Sequence, residues 1–324
     1  MKTIYIIGAG QIGSRHLQAL KKIKTPLNII VVDPSQSSLA TAKQRYNEFK
    51  APDSRHIVQY KGFLDNIDKI IDIVIVATSS NVRREIIEII LERAKVKYLI
   101  LEKLLFQKYE DYRKVEQLFR KCKAKAWVNC SMRTIPFYAK LNRQFDKCQF
   151  QYIVSGSGFG LVTTAIHYID HISYLTNCYD FDVDTSSLQK KLVLSKRKGF
   201  FELYGTIRVL FKNGTFGIIT SYPSGDAPNQ IEILNDNVRC ICWEGLNKAM
   251  ISEAKNRWKW VNVKPNILLQ SEMTTAAVEG ILKNGMCNLT PYAQSSKLHT
   301  TFLQSMLKHI NSFSKRKFDY YPFT

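Results

Sequence analysis

Three glycines, at positions 8, 10 and 13, are the first residues of this chain whose type and spacing suggest chemistry. They end an apolar run, Thr3-Ile-Tyr-Ile-Ile7, and a helical pattern starts directly beyond them. In such a strand–turn–helix Gly8 permits the tight turn and Gly10 admits a pyrophosphate to the backbone. Gly13 lets the helix lie close to the strand. The first helical residues, Gln11 and Ile12, then offer unbonded N–H groups to phosphate. Asp33 closes a second apolar strand about 20 residues on, where an acid can accept from a ribose 2′-hydroxyl. It would repel a 2′-phosphate, so the pattern favours NAD over NADP.

Three further segments follow predicted strands and so reach the same edge of the sheet, where open α/β folds bind ligands. The small polar loop Ala77-Thr78-Ser79-Ser80-Asn81 suits a ribose or nicotinamide, with Thr78 and Ser79 as the contacts. Leu101-Glu102-Lys103 places an acid and a lysine at the end of an apolar run, both expected to contact the cofactor. A lysine there is ordinarily just solvated. At the mouth of a cofactor crevice, however, a partly desolvated ammonium can steady a developing alkoxide. The third segment, Asn129 to Arg133, brings a guanidinium for substrate.

A second group lies in Gly160-Leu-Val-Thr163-Thr164-Ala-Ile-His167-Tyr-Ile-Asp170-His171. On a helix, Thr163 and Thr164 sit four and three residues before His167, and Asp170 three after it, so they form one polar face. That face follows a glycine-rich loop and could meet substrate, with His167 as acid or base. The same spacing also suits a core histidine held by Asp170.

The elements needed to position these residues are legible in the hydrophobic pattern. Strands are predicted near 3–7, 28–33, 57–60, 72–77 and 97–102, with helices near 12–23, 36–48, 82–95 and 108–123; 125–129 reads as a sixth strand. Continuously apolar strands alternating with helices describe an α/β fold, a doubly wound parallel Rossmann sheet over residues 1–123. Residues 124–324 read as an α+β domain with a largely antiparallel open sheet. Its helices fall near 134–145, 162–176, 267–283 and 291–312. Its strands fall near 149–155, 188–196, 203–211, 215–222, 230–235, 238–243 and 258–263, with turns at Lys212-Asn-Gly214 and Asn235-Asp-Asn237.

Bulk properties narrow the class. At 324 residues the chain is long enough for two domains, and no apolar run reaches membrane-span length. No signal peptide is apparent, and seven dispersed cysteines without a CxxC pair suit thiols in a reducing cytoplasm. The formal charge is +20, yet it divides evenly: 23 Lys+Arg against 13 Asp+Glu over 1–123, and 24 against 14 beyond. Without a single basic stripe, specific nucleic-acid or membrane binding is not expected. No histidine combines with cysteines or acids at metal-ligand spacing beyond the His167/Asp170/His171 trio, whose members are better placed to bond one another; no metal is expected.

Together these segments resemble the glucose–fructose oxidoreductase/inositol dehydrogenase (Gfo/Idh/MocA) family. The residues carrying the resemblance are GAGQIGSRH at 8–16, VVDPS at 31–35, IVIVATSS at 73–80, LEK at 101–103, WVNCSMRTIPFY at 127–138 and GFGLVTTAIHYID at 158–170. ILKNGMCNLTPY at 281–292 adds a further match. The resemblance implies NAD(P)-linked oxidation or reduction of a sugar or nucleotide sugar, and homo-oligomer contacts through the open C-terminal sheet. It places the family's reactive lysine and histidine on Lys103 and His167. Arg133, Thr163, Thr164 and Asp170 then join them as substrate contacts. The pattern around His167 is closer to members of bacterial surface-sugar synthesis. Leu104 stands where the family has Pro, and Thr163 where many members have Asp. The family also includes regulators that bind the dinucleotide without turnover, a second expectation for this chain.

Overall fold

The computed structural model describes residues 1–50, 55–145 and 149–324; Cys148 lies outside them. In chain order the first elements are β1 (Lys2–Ile7), α1 (Gln11–Leu20), β2 (Leu27–Val32), α2 (Gln36–Glu48), β3 (Ile57–Lys61), β4 (Ile70–Val76), α3 (Ser80–Arg93), β5 (Lys95–Leu101), α4 (Tyr109–Cys122) and β6 (Lys125–Val128). Then come α5 (Pro136–Phe145), β7 (Gln151–Ser157), α6 (Leu161–Thr176), β8 (Phe181–Asp184), β9 (Val193–Leu194), β10 (Phe201–Glu202), β11 (Gly205–Phe211) and β12 (Phe216–Tyr222). The chain closes with β13 (Gln230–Leu234), β14 (Val238–Trp243), β15 (Lys248–Glu253), β16 (Val261–Val263), α7 (Gln270–Asn284), β17 (Thr290–Pro291) and α8 (Tyr292–Phe313).

Two compact units result, one of Met1–Asn129 with Leu268–Ala293 and one of Cys130–Ile267 with Gln294–Thr324. The first is a seven-stranded sheet in the order β17-β6-β5-β4-β1-β2-β3, parallel except for β17. Its central strands are apolar on both faces, with Ile4, Ile6, Ile29, Val31, Ile73 and Ile75 buried on one and Tyr5, Ile7, Ile30, Val32, Val74 and Val76 on the other, as helices on both sides require. Strand order reverses between β1 and β4, so the Gly8 turn and the loop after β4 lie side by side at the carboxyl edge. Residues 268–293 fall in the stretch that the sequence pattern assigns to the second domain. They pack instead with the first, because Ala277, Val278 and Ile281 of α7 share a core with Leu17 and Leu20 of α1.

The second unit is an eight-stranded sheet in the order β16-β15-β14-β13-β7-β12-β11-β8. Only β7 and β12 pair in parallel. Burial alternates along β7, with Tyr152 and Val154 buried and Gln151, Ile153 and Ser155 not. One face is therefore covered, by α6 among others, and the other is open. Here the sequence pattern needs several corrections. The predicted strand 188–196 reduces to Val193–Leu194, paired with only two residues of β10. The predicted strand 258–263 begins at Val261, and the helix predicted from 134 begins at Pro136 after a 3-10 turn over Ser131–Thr134. Strand β15 has a helix-like composition, Lys-Ala-Met-Ile-Ser-Glu, and went unpredicted; pairing with β14, Ile251 opposite Cys240, makes it a strand.

Cys122, Cys130, Cys178, Cys240, Cys242 and Cys287 are thiols. Among the described residues no helix is long and apolar enough to cross a membrane.

Helix α1 lies close against the turn that ends β1. A Cβ on Gly13 would stand 1.8 Å from the carbonyl oxygen of Gly8. Gly13→Ala is therefore expected to destabilise the protein by about 3 kcal/mol, measured by urea denaturation; an unchanged midpoint would contradict this packing.

Candidate functional site

Each glycine of the turn meets a separate requirement. Gly8 adopts φ +94°, and a Cβ there would lie 2.9 Å from the Ala77 carbonyl group. Its N–H donates to the Val32 carbonyl at 2.8 Å, joining the turn to β2. Gly10 caps α1 with no side-chain hydrogen bond, is exposed, and has nothing within 4 Å of where a Cβ would stand. The helix start is thus open over a surface where backbone, not side chain, faces outward. No acid occupies the first turn of α1 to compete for its N–H groups. Gln11 is exposed and Ile12 half-buried there. Arg45 of α2 donates to Gln11 Oε1 at 2.8 Å and to Ser14 Oγ at 2.7 Å, bracing this turn from the side.

Asp33 stands at the tip of β2 beside the turn. Its Oδ2 accepts the Ala9 N–H at 2.7 Å and its Oδ1 the Ser35 N–H at 2.8 Å. Each oxygen keeps a second lone pair. The carboxylate is thereby aimed along the glycine turn, the arrangement a ribose diol requires. These residues fit a dinucleotide: a left-handed glycine, an uncovered helix start and an anchored acid. Thr78 Oγ1, in the loop after β4, is buried without a hydrogen-bond partner among the described residues. Ser79, the N-cap of α3, donates to Asn81 Oδ1 at 2.6 Å.

Lys103 is half-buried at the end of β5, and the peptide joining it to Leu104 is cis. Its neighbour Glu102 is buried within a closed hydrogen-bonded ring. His16 Nε2 lies 3.0 Å from Glu102 Oε1, and Asn129 Nδ2 donates to the same oxygen at 2.5 Å. Asn129 also donates to Gln270 Oε1 at 3.0 Å, Gln270 donates to Thr274 Oγ1 at 2.9 Å, and Thr274 returns to His16 Nδ1 at 2.7 Å. Burial by itself would raise the Glu102 carboxyl, but bonding to His16 and Asn129 and the Lys103 charge outweigh it and hold it down to about 2. An ionised carboxylate only accepts, so His16 Nε2 carries the hydrogen in that contact. Glu102, read from sequence as a cofactor contact, therefore spends one oxygen on protein partners.

The backbone on either side is clamped by Arg83, which is only 1% exposed. It donates to the carbonyls of Thr78 and Leu104, and to that of Leu105 at 2.9 Å. One guanidinium thus joins the loops after β4 and β5. Neither Arg83 nor the ring partners His16, Gln270 and Thr274 stood out in sequence, and Asn129 was noted only as the start of the segment that carries Arg133. Arg83 did leave a signal, for it occupies the stripe of α3 that carries buried Ile87 and Ile90.

In the second unit, α6 starts at Gly160 beneath Glu202 of β10, whose carboxylate accepts the N–H groups of Val162 at 3.0 Å and Thr163 at 3.3 Å. A carboxylate there satisfies otherwise unbonded donors and complements the helix dipole. Its sequence signal was an acid within an apolar run, Phe200-Phe-Glu-Leu203. Thr163, Thr164 and His167 are half-buried on an otherwise largely buried helix, so they do share one accessible stripe. Asp170 does not belong to it. Asp170 is fully buried and grips Arg133 through two bonds, Nε–Oδ2 at 3.0 Å and Nη2–Oδ1 at 2.9 Å. The pair read as substrate ligands is thus engaged with itself, because the long Arg133 side chain folds over Tyr174 and inward. His171 is buried with Tyr152 Oη 2.8 Å from its Nδ1; burial and the Arg133 charge push its pKa down to about 3, so it is neutral.

Residues 2–130 match the model of the GFO_IDH_MocA family, an oxidoreductase family with an NAD-binding Rossmann fold. No curated protein matches the sequence. Among solved structures, an oxidoreductase from Agrobacterium radiobacter in complex with NAD+, L-tartaric acid and magnesium is similar at TM-score 0.72 and 15% identity, covering 93% of this chain and 94% of that one. UDP-N-acetylglucosamine 3-dehydrogenase GnnA from Acidithiobacillus ferrooxidans is similar at 0.70 and 13%, covering 96% and 98%. A super-repressor mutant of Gal80p from Saccharomyces cerevisiae is similar at 0.70 and 12%, covering 97% and 96%. At these identities the likeness is one of fold.

Two outcomes follow from the buried charges. The Glu102 carboxyl is depressed from 4.5 to about 2, so its contribution is complete above pH 4.5 and lost as pH falls through 2. Denaturation across that window should show the wild type losing on the order of 3 kcal/mol that Glu102→Gln does not lose. Removing Arg133 alone, as Arg133→Ala, takes the guanidinium from the buried Asp170 carboxylate and should cost about 3–5 kcal/mol. Replacing the pair together as Arg133→Met/Asp170→Leu should recover most of that loss in the same measurement.

Proposed function

We propose that this chain, whose residues 2–130 match the model of an oxidoreductase family with an NAD-binding Rossmann fold, transfers a hydride between nicotinamide and a ring carbinol of a sugar or nucleotide sugar. The observation that carries the reading is the phosphate turn, with Gly8 at φ +94°, an uncovered α1 start, and Asp33 bonded to the turn itself. Gly10, Gln11, Ile12 and Gly13 would hold the pyrophosphate, Asp33 the adenosine ribose, and Thr78, Ser79 and Glu102 the nicotinamide side. Asp33 favours NAD, since a 2′-phosphate would face its carboxylate.

When bound, the nicotinamide supplies the hydride acceptor or donor at C4. In the direction of oxidation, His167 takes the carbinol proton while the Lys103 ammonium lowers the energy of the developing alkoxide. Thr163 and Thr164, on the His167 stripe, offer hydroxyls to substrate. Arg133 and Asp170, bonded to each other, fix the helix that carries His167 and are proposed as support to the substrate site. The similarity to a nucleotide-sugar dehydrogenase of like fold favours a sugar substrate, and the sequence pattern around His167 is the support for a place in surface-glycan synthesis. The open face of the second sheet is the surface proposed for a homo-oligomer, and the cytoplasm the compartment. A second reading, dinucleotide binding without turnover, has its support in the fold shared with Gal80p and in Thr163, which cannot hold charge as a carboxylate does.

Turnover of a sugar and nucleotide-sugar panel with NAD, followed by nicotinamide absorbance, tests the reading. Lys103→Ala and His167→Ala should each lower kcat by about a hundredfold or more, His167→Ala with NAD affinity unchanged, and Asp33→Ser should erode the preference for NAD. Tight NAD binding with no turnover across the panel would leave the regulatory reading in its place.

A further inference from the structure

The two densest basic stretches of the chain, Lys196-Arg197-Lys198 and Lys315-Arg316-Lys317, are far apart in sequence. The second unit joins the segments that carry them. Strands β9 and β10 form a short hairpin with Leu194 opposite Phe201, and the first triplet is its tip. That tip is closed by the Ser195 N–H donating to the Phe200 carbonyl at 2.9 Å. The chain end docks on the same hairpin: the Phe201 N–H donates to the Pro322 carbonyl at 2.9 Å, and the Phe318 ring meets Phe201 edge-on at 6.1 Å. A third anchor, His309 Nε2 3.3 Å from the Gln189 carbonyl, ties α8 to the residue before Lys190-Lys191. Tyr321 and Phe323 are buried, so the tail is packed in place.

Lys190, Lys191 and both triplets are exposed. The carboxylate of Glu202 is turned inward onto α6, which leaves Asp319 as the one outward acid of the hairpin and tail. Among these cations stands Leu194, 75% exposed on β9. A concentrated basic face attracts a polyanion. The exposed leucine decides which kind: below the phosphate plane a bilayer has an apolar layer to receive it, whereas a nucleic-acid backbone has none. We propose that this hairpin-and-tail face docks the protein on an anionic lipid surface, with Leu194 entering the headgroup boundary.

Sedimentation of the full chain with vesicles tests this. Vesicles of phosphatidylcholine with phosphatidylglycerol should bind it, those of phosphatidylcholine alone should not, and salt should weaken the binding. Reversing either triplet, as Lys196→Glu/Arg197→Glu/Lys198→Glu or Lys315→Glu/Arg316→Glu/Lys317→Glu, should weaken it by about a hundredfold. Leu194→Ser should weaken it by about tenfold while leaving NAD affinity unchanged. Equal binding to neutral vesicles, binding to neither, or duplex DNA bound as tightly with no effect of Leu194→Ser would each overturn the proposal.

Discussion

A carboxylate buried at the end of a central strand is the constraint around which the first unit is arranged. Glu102 cannot be left alone in that position, because an unpaired buried charge costs far more than one hydrogen bond returns. Its partners come from every direction the sheet edge allows. His16 comes from the helix after the glycine turn and Asn129 from the end of β6. Gln270 and Thr274 come from a helix that returns to the first unit after the chain has run from Cys130 to Ile267 in the second. Closing the ring fixes α1 against β5, and so fixes the glycine turn relative to the residue beside Glu102, Lys103.

Arg83 solves the complementary problem. Loops at the carboxyl edge must present backbone to a ligand, yet their own carbonyls need donors. A single guanidinium satisfies three of them across two loops. The Arg133–Asp170 pair plays a similar part in the second unit, where it ties the 3-10 turn before α5 to the middle of α6. In both units, charged side chains that look reactive in a linear reading are used to hold backbone still, which is what positioning a few reacting groups demands.

Much of this was legible beforehand, and the reason is local. The strand–turn–helix at Gly8 to Gly13 involves neighbours in sequence, and glycine is the residue that tolerates φ +94° and a 1.8 Å approach. Parallel strands buried on both faces are apolar throughout, so β1, β2, β4 and β5 announce themselves. The polar stripe of Thr163, Thr164 and His167 follows from helical spacing alone. Strand β15 was missed because its residues prefer a helix and only its partner makes it a strand. Helix α7 was visible as a helix but assigned to the wrong unit, since nothing in its own sequence says which core its apolar stripe will join.

The amino-acid order by itself therefore determined the architecture, the glycine turn, the acid beside it, and the polar stripe of α6. Those properties depend on contacts a few residues apart or on periodicities of 2 and 3.6. Only the tertiary structure decided which of the charged groups are spent on one another. It turned Asp170 from the His167 face onto Arg133, enclosed Glu102 in a ring spanning residues 16 to 274, and gathered two distant basic triplets beside one exposed leucine. The physical reason is shared: pairing between buried or clustered charges depends on distance in space, and one-dimensional spacing carries no record of it.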